Sequence, residues 1–288
     1  MKILVKCSGF VGDHLFATGI ADWYANLSIK ECIVDYVVDV YQVIELFTND
    51  PNINNVFHKS EDIPKHYDIE YSLPPVDQSI PPPQYFKSYC DIPTPDSTYK
   101  IYTNSGLDSA AKIMLPKNGK KNIAWQANWE EKSFLFHRNQ YEAGINHPPD
   151  LGYGGKRRDI NKIITGLKAH YNLIPVGFPP GTPNKKEDPI GGFMSAGMYS
   201  ATASIIKMCD YMIGGESGLI NLAAGVGTKT IITGDFVHQL YGWNGCIKKI
   251  QEPKLGPEFY FPNEGHISLD PYLTDDEVAS QMKEIICT

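Results

Sequence analysis

Cys209-Asp210-Tyr211-Met212-Ile213-Gly214-Gly215-Glu216-Ser217-Gly218-Leu219-Ile220-Asn221-Leu222-Ala223-Ala224-Gly225-Val226-Gly227-Thr228-Lys229-Thr230 is the stretch from which the rest of the chain can be read. Its first apolar run, Tyr211–Gly214, predicts a buried strand. Gly218–Gly225 predicts a helix and residues 230–233 a second strand, which together make a βαβ unit. Gly214 and Gly215 would let the backbone come close to a ligand, and Ser217 suits the cap of the helix. The amide groups left free at a helix N-terminus, with the helix dipole, attract an anion. Each such contribution is typically about 0.3–1 kcal/mol, so several must act together to hold a diphosphate. An ordinary tight strand–helix turn is the alternative, and the length of the pattern weighs against it.

Upstream of this unit the same alternation recurs twice. Residues 3–5, 33–38, 55–57 and 67–73 read as strands, with helical patterns over 13–26 and 41–47. Regularity breaks at the proline clusters 81–83 and 93–95, although 84–90 and 107–114 suit short helices. The polar run 116–121 reads as a linker, after which 122–125, 173–177, 211–214 and 230–233 predict strands. Helices are expected over 159–171, 202–208 and 218–225 between them. Thr274-Asp275-Asp276-Glu277 is a capping-box pattern that opens a last helix to about residue 286. Strands that alternate with helices imply parallel sheets with right-handed crossovers. The expectation is an α/β chain of two Rossmann-like domains, 1–118 and 119–288, facing across a cleft.

Composition bounds the function. With 288 residues and 42% hydrophobic content the chain can bury a sizeable core, and it contains no apolar run of eighteen residues to span a membrane. The opening Met1-Lys2-Ile3-Leu4-Val5-Lys6 is too short for a secretory signal and reads as a strand. Cysteines at 7, 32, 90, 209, 246 and 287 show no Cys-x-x-Cys spacing, and the eight histidines show no metal-ligand spacing. Buried free thiols in a reducing compartment follow, and a cytoplasmic location with them. A net charge of −7 argues against a broadly basic surface for polyanions.

A second segment, Lys6-Cys7-Ser8-Gly9-Phe10-Val11-Gly12-Asp13-His14-Leu15, joins the first strand to the first helix. It matches neither Gly-x-Gly-x-x-Gly nor a phosphate loop with its lysine. Asp13 stands at the helix start, where aspartate is a favoured cap. His14 beside it reads as a packed histidine or as a group that orients Asp13.

Taken together, the two segments resemble the heptosyltransferase-like glycosyltransferases, which have the GT-B fold. That family opens its first helix with Gly-Asp, here Gly12-Asp13. It later carries Asp-Ser-Gly-x-x-His-Leu-Ala-Ala-x-x-Gly-Thr, here Glu216-Ser217-Gly218-Leu219-Ile220-Asn221-Leu222-Ala223-Ala224-Gly225-Val226-Gly227-Thr228. The resemblance implies inverting transfer from a nucleotide-diphosphate sugar, which serves as co-substrate, with no further cofactor. Asp13 would be the general base on the acceptor hydroxyl. Gly12, Gly215, Glu216, Ser217, Gly218 and Asn221 would bind the donor.

Two positions depart from the family pattern. Glu216 stands for an aspartate and Asn221 for a histidine, so a different sugar or nucleotide is implied. The chain has no Asp-x-Asp triplet, so metal-independent transfer is expected, with leaving-group charge met by helix amides and cations. Lys132 is the candidate cation. The insertion 133–155 and its continuation gather the three arginines, Arg138, Arg157 and Arg158, with several aromatics. That loop is the expected grip on an acceptor, either a surface glycan or a hydroxymethylated DNA base of a phage. The AT-rich residue bias leans to a phage and a bacterial host cytoplasm, while the acidic balance leans against duplex binding. A non-catalytic nucleotide binder, or a sugar-epimerase-like protein on the same scaffold, is the alternative reading.

Overall fold

The computed structural model describes residues 1–9, 11–27, 32–74, 90, 92, 100–126, 160–177, 199–214, 218–233, 266–269 and 273–287. Within them lie two parallel sheets. The first is built from β1 (Lys2–Cys7), β2 (Ile33–Val38), β3 (Asn55–His58) and β4 (Ile69–Leu73) in the order β3-β2-β1-β4. The second holds β5 (Asn122–Gln126), β6 (Asn172–Val176), β7 (Tyr211–Gly214), β8 (Lys229–Thr233) and β9 (His266–Leu269) in the order β6-β5-β7-β8-β9. Every pairing is parallel. Strands buried on both faces read as continuous apolar runs rather than alternations, as Ile3-Leu4-Val5 and Tyr211-Met212-Ile213 do. Pro175 lies in β6, an edge strand, where a missing amide costs no ladder bond on the open side.

The helices are α1 (Val11–Asn26), α2 (Ile44–Phe47, preceded by a 3-10 turn at Tyr41–Val43), α3 (Ser105–Met114), α4 (Ile160–Lys168), α5 (Tyr199–Lys207), α6 (Gly218–Gly225) and α7 (Asp275–Cys287). On one face of the second sheet Ile163 and Leu167 of α4 meet Val278, Met282 and Ile286 of α7 over Ile123, Ile213 and Ile231. Gly166 makes that crossing close, since a β-carbon there would stand 3.1 Å from the Ala279 methyl. The other face belongs to a cluster that continues into the first sheet. It joins Ile3, Val5, Leu15, Phe16 and Ile20 to Leu219, Ile220, Leu222 and Met212. The capping box forms as expected: Glu277 Oε2 accepts from the Thr274 backbone N–H at 2.7 Å, and the Glu277 N–H donates to Thr274 Oγ1 at 3.3 Å.

Two polar devices fix the first sheet to its surroundings. The fully buried Tyr36 hydroxyl of β2 donates to Ala17 O at 2.7 Å and accepts from Ala21 N at 3.2 Å. It is thus bonded to two groups one helical turn apart in α1, which sets that helix along the strand. Asp35, also on β2, is saturated by Asn54, Asn55 and Tyr67, whose hydroxyl burial and the carboxylate push up to about 12.

The segment 100–104 and α3 cross from the first sheet towards the second. Ile101 donates its N–H to Gly225 O at 2.8 Å. Lys207 of α5 reaches Thr103 Oγ1 at 2.6 Å and Asp108 Oδ2 at 2.7 Å. Burial raises Asp108, but its bonds to Lys207 and Thr103 outweigh that and hold it below the ordinary carboxylate range. The turn that follows α3 contains residue 118, at which the sequence places the end of the first domain.

Cys7, Cys32, Cys90, Cys209 and Cys287 form no disulfide among the described residues, and burial pushes the Cys90 and Cys209 thiols up to about 12, which makes them inert. Among the described residues no helix is long and apolar enough to cross a membrane. The expected helix at 84–90 lies outside the described residues except for Cys90. Strand β9 is not anticipated from the sequence, because a four-residue edge strand with an exposed Ile267 carries little pattern.

Asp50 contrasts with Asp35. Its Oδ1 accepts from Asn52 N at 2.9 Å, while its buried Oδ2 has no hydrogen-bond donor. Burial, opposed by the Asn52 bond, aided by Asp22 and opposed again by Lys100, raises it from 3.8 to about 6. A carboxylic acid that is weaker in the folded chain contributes its stability below the unfolded value and loses it as pH rises through the folded one. Here the window is about pH 4 to 6. Asp50→Asn keeps the oxygen facing Asn52 and removes the charge. The thermal midpoint of the variant relative to wild type should therefore climb across that window, by roughly 2–4 °C for each kcal/mol recovered. Thermal denaturation at pH 4, 5, 6 and 7.5 reads this, and a pH-independent difference would contradict the strained carboxylate.

Candidate functional site

In parallel α/β sheets a ligand crevice opens beyond the carboxyl ends of the strands, where the strand order reverses direction. The first sheet reverses between β1 and β4, and the second between β5 and β7. At the first reversal Ser8 donates twice to Leu73 O, from its N–H at 3.1 Å and its hydroxyl at 3.0 Å. Gly9 follows with φ 118, a backbone state side chains rarely tolerate. At the second reversal Gly214 ends β7 against Gln126, which ends β5. A β-carbon on Gly214 would stand 2.9 Å from Gln126 Oε1 and 3.0 Å from its Cβ, so the close packing of these strand ends requires glycine.

The two reversals come together through α1 and α6. A β-carbon at Gly12 would lie 2.6 Å from Asn221 Nδ2 and 3.9 Å from Gly218 Cα. One at Gly218 would lie 3.5 Å from Gly12 N and 3.5 Å from Val11 Cβ. The first turns of two helices, more than 200 residues apart in the chain, are thus in backbone contact. A helix N-terminus leaves its first amides without an intrahelical partner and carries roughly half a positive charge, so both ends bring these to the same place. Two like ends held together favour an anion beside them. The buried Asn221 of α6 forms the wall between them, a neutral amide in a position that must stay small on the Gly12 side.

Of the residues expected to form the site, Gly12, Gly218 and Asn221 are brought into contact. Helix α1 begins at Val11, so Asp13 occupies its first turn rather than the cap. The aspartate is favoured there by the dipole instead. Gly215, Glu216, Ser217, Lys132, Arg138, Arg157 and Arg158 lie outside the described residues. Among those described, no group of three His, Cys, Asp or Glu side chains is placed to hold a metal ion.

Two residues escape the sequence reading. Gln126 is buried at the end of β5, and Asp39 follows β2, with Oδ1 2.8 Å from His14 Nε2. The signal for both is the same: a polar side chain that closes an apolar parallel strand at its carboxyl end.

No family model matches the chain, and no curated protein matches it in sequence. Solved structures do match it along its length. A glycosyl transferase family 9 protein from Veillonella parvula aligns with 99% of this chain and 97% of its own, at 13% identity and a TM-score of 0.64. The E. coli ADP-heptose LPS heptosyltransferase II aligns over 100% and 99%, at 12% identity and TM-score 0.60. E. coli heptosyltransferase WaaC, solved with ADP-2-deoxy-2-fluoro heptose, aligns over 99% of each chain, at 11% identity and TM-score 0.52. At such identities the likeness is one of fold. The chain has the two-sheet architecture of these glycosyltransferases, the GT-B arrangement the sequence led us to expect.

The Gly12–Asn221 wedge is testable by a double-mutant cycle. Gly12→Ala should destabilise by about 1–3 kcal/mol, the usual cost of overpacking. Adding Asn221→Ala should recover much of it, so the two changes couple by roughly 0.5–3 kcal/mol. Denaturant unfolding measures all four proteins, and strict additivity would show that the two residues do not touch.

Proposed function

We propose that the chain is an inverting glycosyltransferase that moves a sugar from a nucleotide-diphosphate donor to an acceptor hydroxyl. One observation carries this reading: the contact between Gly12 and Gly218, which joins the two helix N-termini at the reversal points of both sheets. That arrangement offers a diphosphate free amides and converging dipoles on one side of the crevice. Asp13 belongs to the first turn of α1, next in the chain to Gly12.

Asp13 acts as general base and takes the acceptor proton while the hydroxyl oxygen attacks the anomeric carbon from the face opposite the leaving diphosphate. Inversion follows from that single displacement. The charge on the departing nucleoside diphosphate is met by the α6 amides, by Ser217 and Gly218, and by Lys132 as the cation, without a metal ion. Glu216 and Asn221, which differ from the heptosyltransferase-like pattern, set the sugar and nucleotide.

The acceptor in this proposal is a surface glycan. The net charge of −7 disfavours a duplex, and a structure of the same fold is named for transfer to lipopolysaccharide. Arg138, Arg157 and Arg158 then grip acidic groups of that glycan. A cytoplasmic location is part of the proposal, since widely spaced cysteines without a Cys-x-x-Cys pair suit a reducing compartment.

Calorimetric titration with UDP, GDP, ADP and CMP and their sugar conjugates should find one preferred nucleotide. Asp13→Asn should bind that donor as the wild type does and lose about 10²-fold or more in transfer rate. Unchanged turnover in the variant would remove Asp13 as the base. Donor consumed without acceptor would favour an epimerase, and transfer to hydroxymethylated DNA rather than glycan would reassign the acceptor. Binding to no nucleotide would sink the proposal.

A further inference from the structure

The turn that carries Asp13 is held from outside by a residue of another strand. Asp39 lies one residue beyond β2 and sends its carboxylate to both ends of that turn. Oδ2 accepts from the Gly9 N–H at 3.4 Å, at the point where the backbone takes φ 118. Oδ1 stands 2.8 Å from Nε2 of His14, whose side chain is 0% exposed. The Asp39 N–H donates to the same Nε2 at 3.4 Å, so the ring is met by two groups of one residue. Lys59 Nζ stands 3.9 Å from Oδ2, exposed to solvent, and adds little.

The backbone on either side of Asp13 is therefore held. Gly9 and His14 are tied to one carboxylate, and Gly12 is pressed against α6. An apolar side chain at position 14 would fill the same space without burying a polar ring, and buried polar pairs are often no more stabilising than apolar replacements. Asp39 keeps 20% of its side chain exposed, at the carboxyl end of a parallel strand, which is where ligands approach. A pair that costs desolvation and sits beside the crevice is better accounted for by positioning than by stability.

We propose that Asp39 and His14 form a positioning pair that holds the β1–α1 turn so that Asp13 meets the acceptor hydroxyl. The inference rests on Asp13 being the base. Neither residue touches the reacting atoms; the pair acts through the backbone on either side of Asp13. A displacement of about 1 Å of a catalytic group can cost on the order of 10²-fold in rate, so a modest loosening of the turn is enough to matter.

Steady-state transfer should show a kcat about 10- to 100-fold lower in Asp39→Ala, with the donor KM, to which α6 contributes independently of this turn, changed by a clearly smaller factor than kcat. Asp39→Asn, which retains one acceptor oxygen for the Gly9 N–H, should recover most of that loss. Should Asp39→Ala not fold, His14→Leu against His14→Gln gives the same comparison, since glutamine keeps a polar group that can accept from the Asp39 N–H. In the Asp13→Asn background, Asp39→Ala should cause no further loss, because groups that work as a unit are not additive. Wild-type kcat in Asp39→Ala, equal losses in Asp39→Ala and Asp39→Asn, or a full additional loss on top of Asp13→Asn would each overturn the positioning role. Failure of the base assignment is read separately: there, Asp13→Asn alone turns over normally.

Discussion

Two helix ends can come into backbone contact only where neither carries a side chain in the way, and Gly12 against Gly218 is where this molecule meets that condition. The contact would be unfavourable in isolation, since each end carries partial positive charge. It is imposed by what lies behind it. Leu15, Phe16 and Ile20 of α1 share one apolar cluster with Leu219, Ile220 and Leu222 of α6, and burying those side chains outweighs the repulsion of the ends. Because all the strand pairings are parallel, the following helices begin at the carboxyl edges of the sheets, so the same packing that joins α1 to α6 also places their free amides at the crevice.

Polar groups inside this framework divide by how completely they are satisfied. Asp35, Tyr36 and Tyr67 have partners for their oxygens and act as pegs that orient β2 towards α1 and the loops around it. Asp50 is left with one oxygen without a donor and shares its surroundings with Asp22 and Lys100. Lys100 begins the segment that ties to Gly225 and, through Thr103 and Asp108, to Lys207. Asp50 is thus coupled through Lys100 to the segment that crosses between the sheets.

Much of this was legible in the residues. β2, β7 and α6 begin and end where the sequence puts them, because buried parallel strands are unbroken apolar runs and α6 is framed by glycines at both ends. The start of α1 was placed two residues late, since Val11 and Gly12 give no capping signal and Asp13 does. β9 left no legible trace, being short and half exposed. For the site, the glycines and Asn221 could be named from motif order alone. That Gly12 touches Asn221, and that Asp39 reaches both Gly9 and His14, could not be, because these contacts span between 25 and 209 positions and depend on strand order. Pattern in a sequence reports local periodicity; it does not report which carboxyl ends become neighbours.

The order of the chain also sets a delay. All four strands of the first sheet lie between Lys2 and Leu73, so that sheet can assemble well before α6 is synthesised. The partner surface of α1 on α6 follows about 200 residues later. At ribosomal rates of roughly 5–20 residues per second, the face of α1 destined for α6 waits about 10–40 s for its cover. During that interval Leu15, Phe16 and Ile20 depend for burial on the first sheet and the segments already made, such as Ile101 and Ala111.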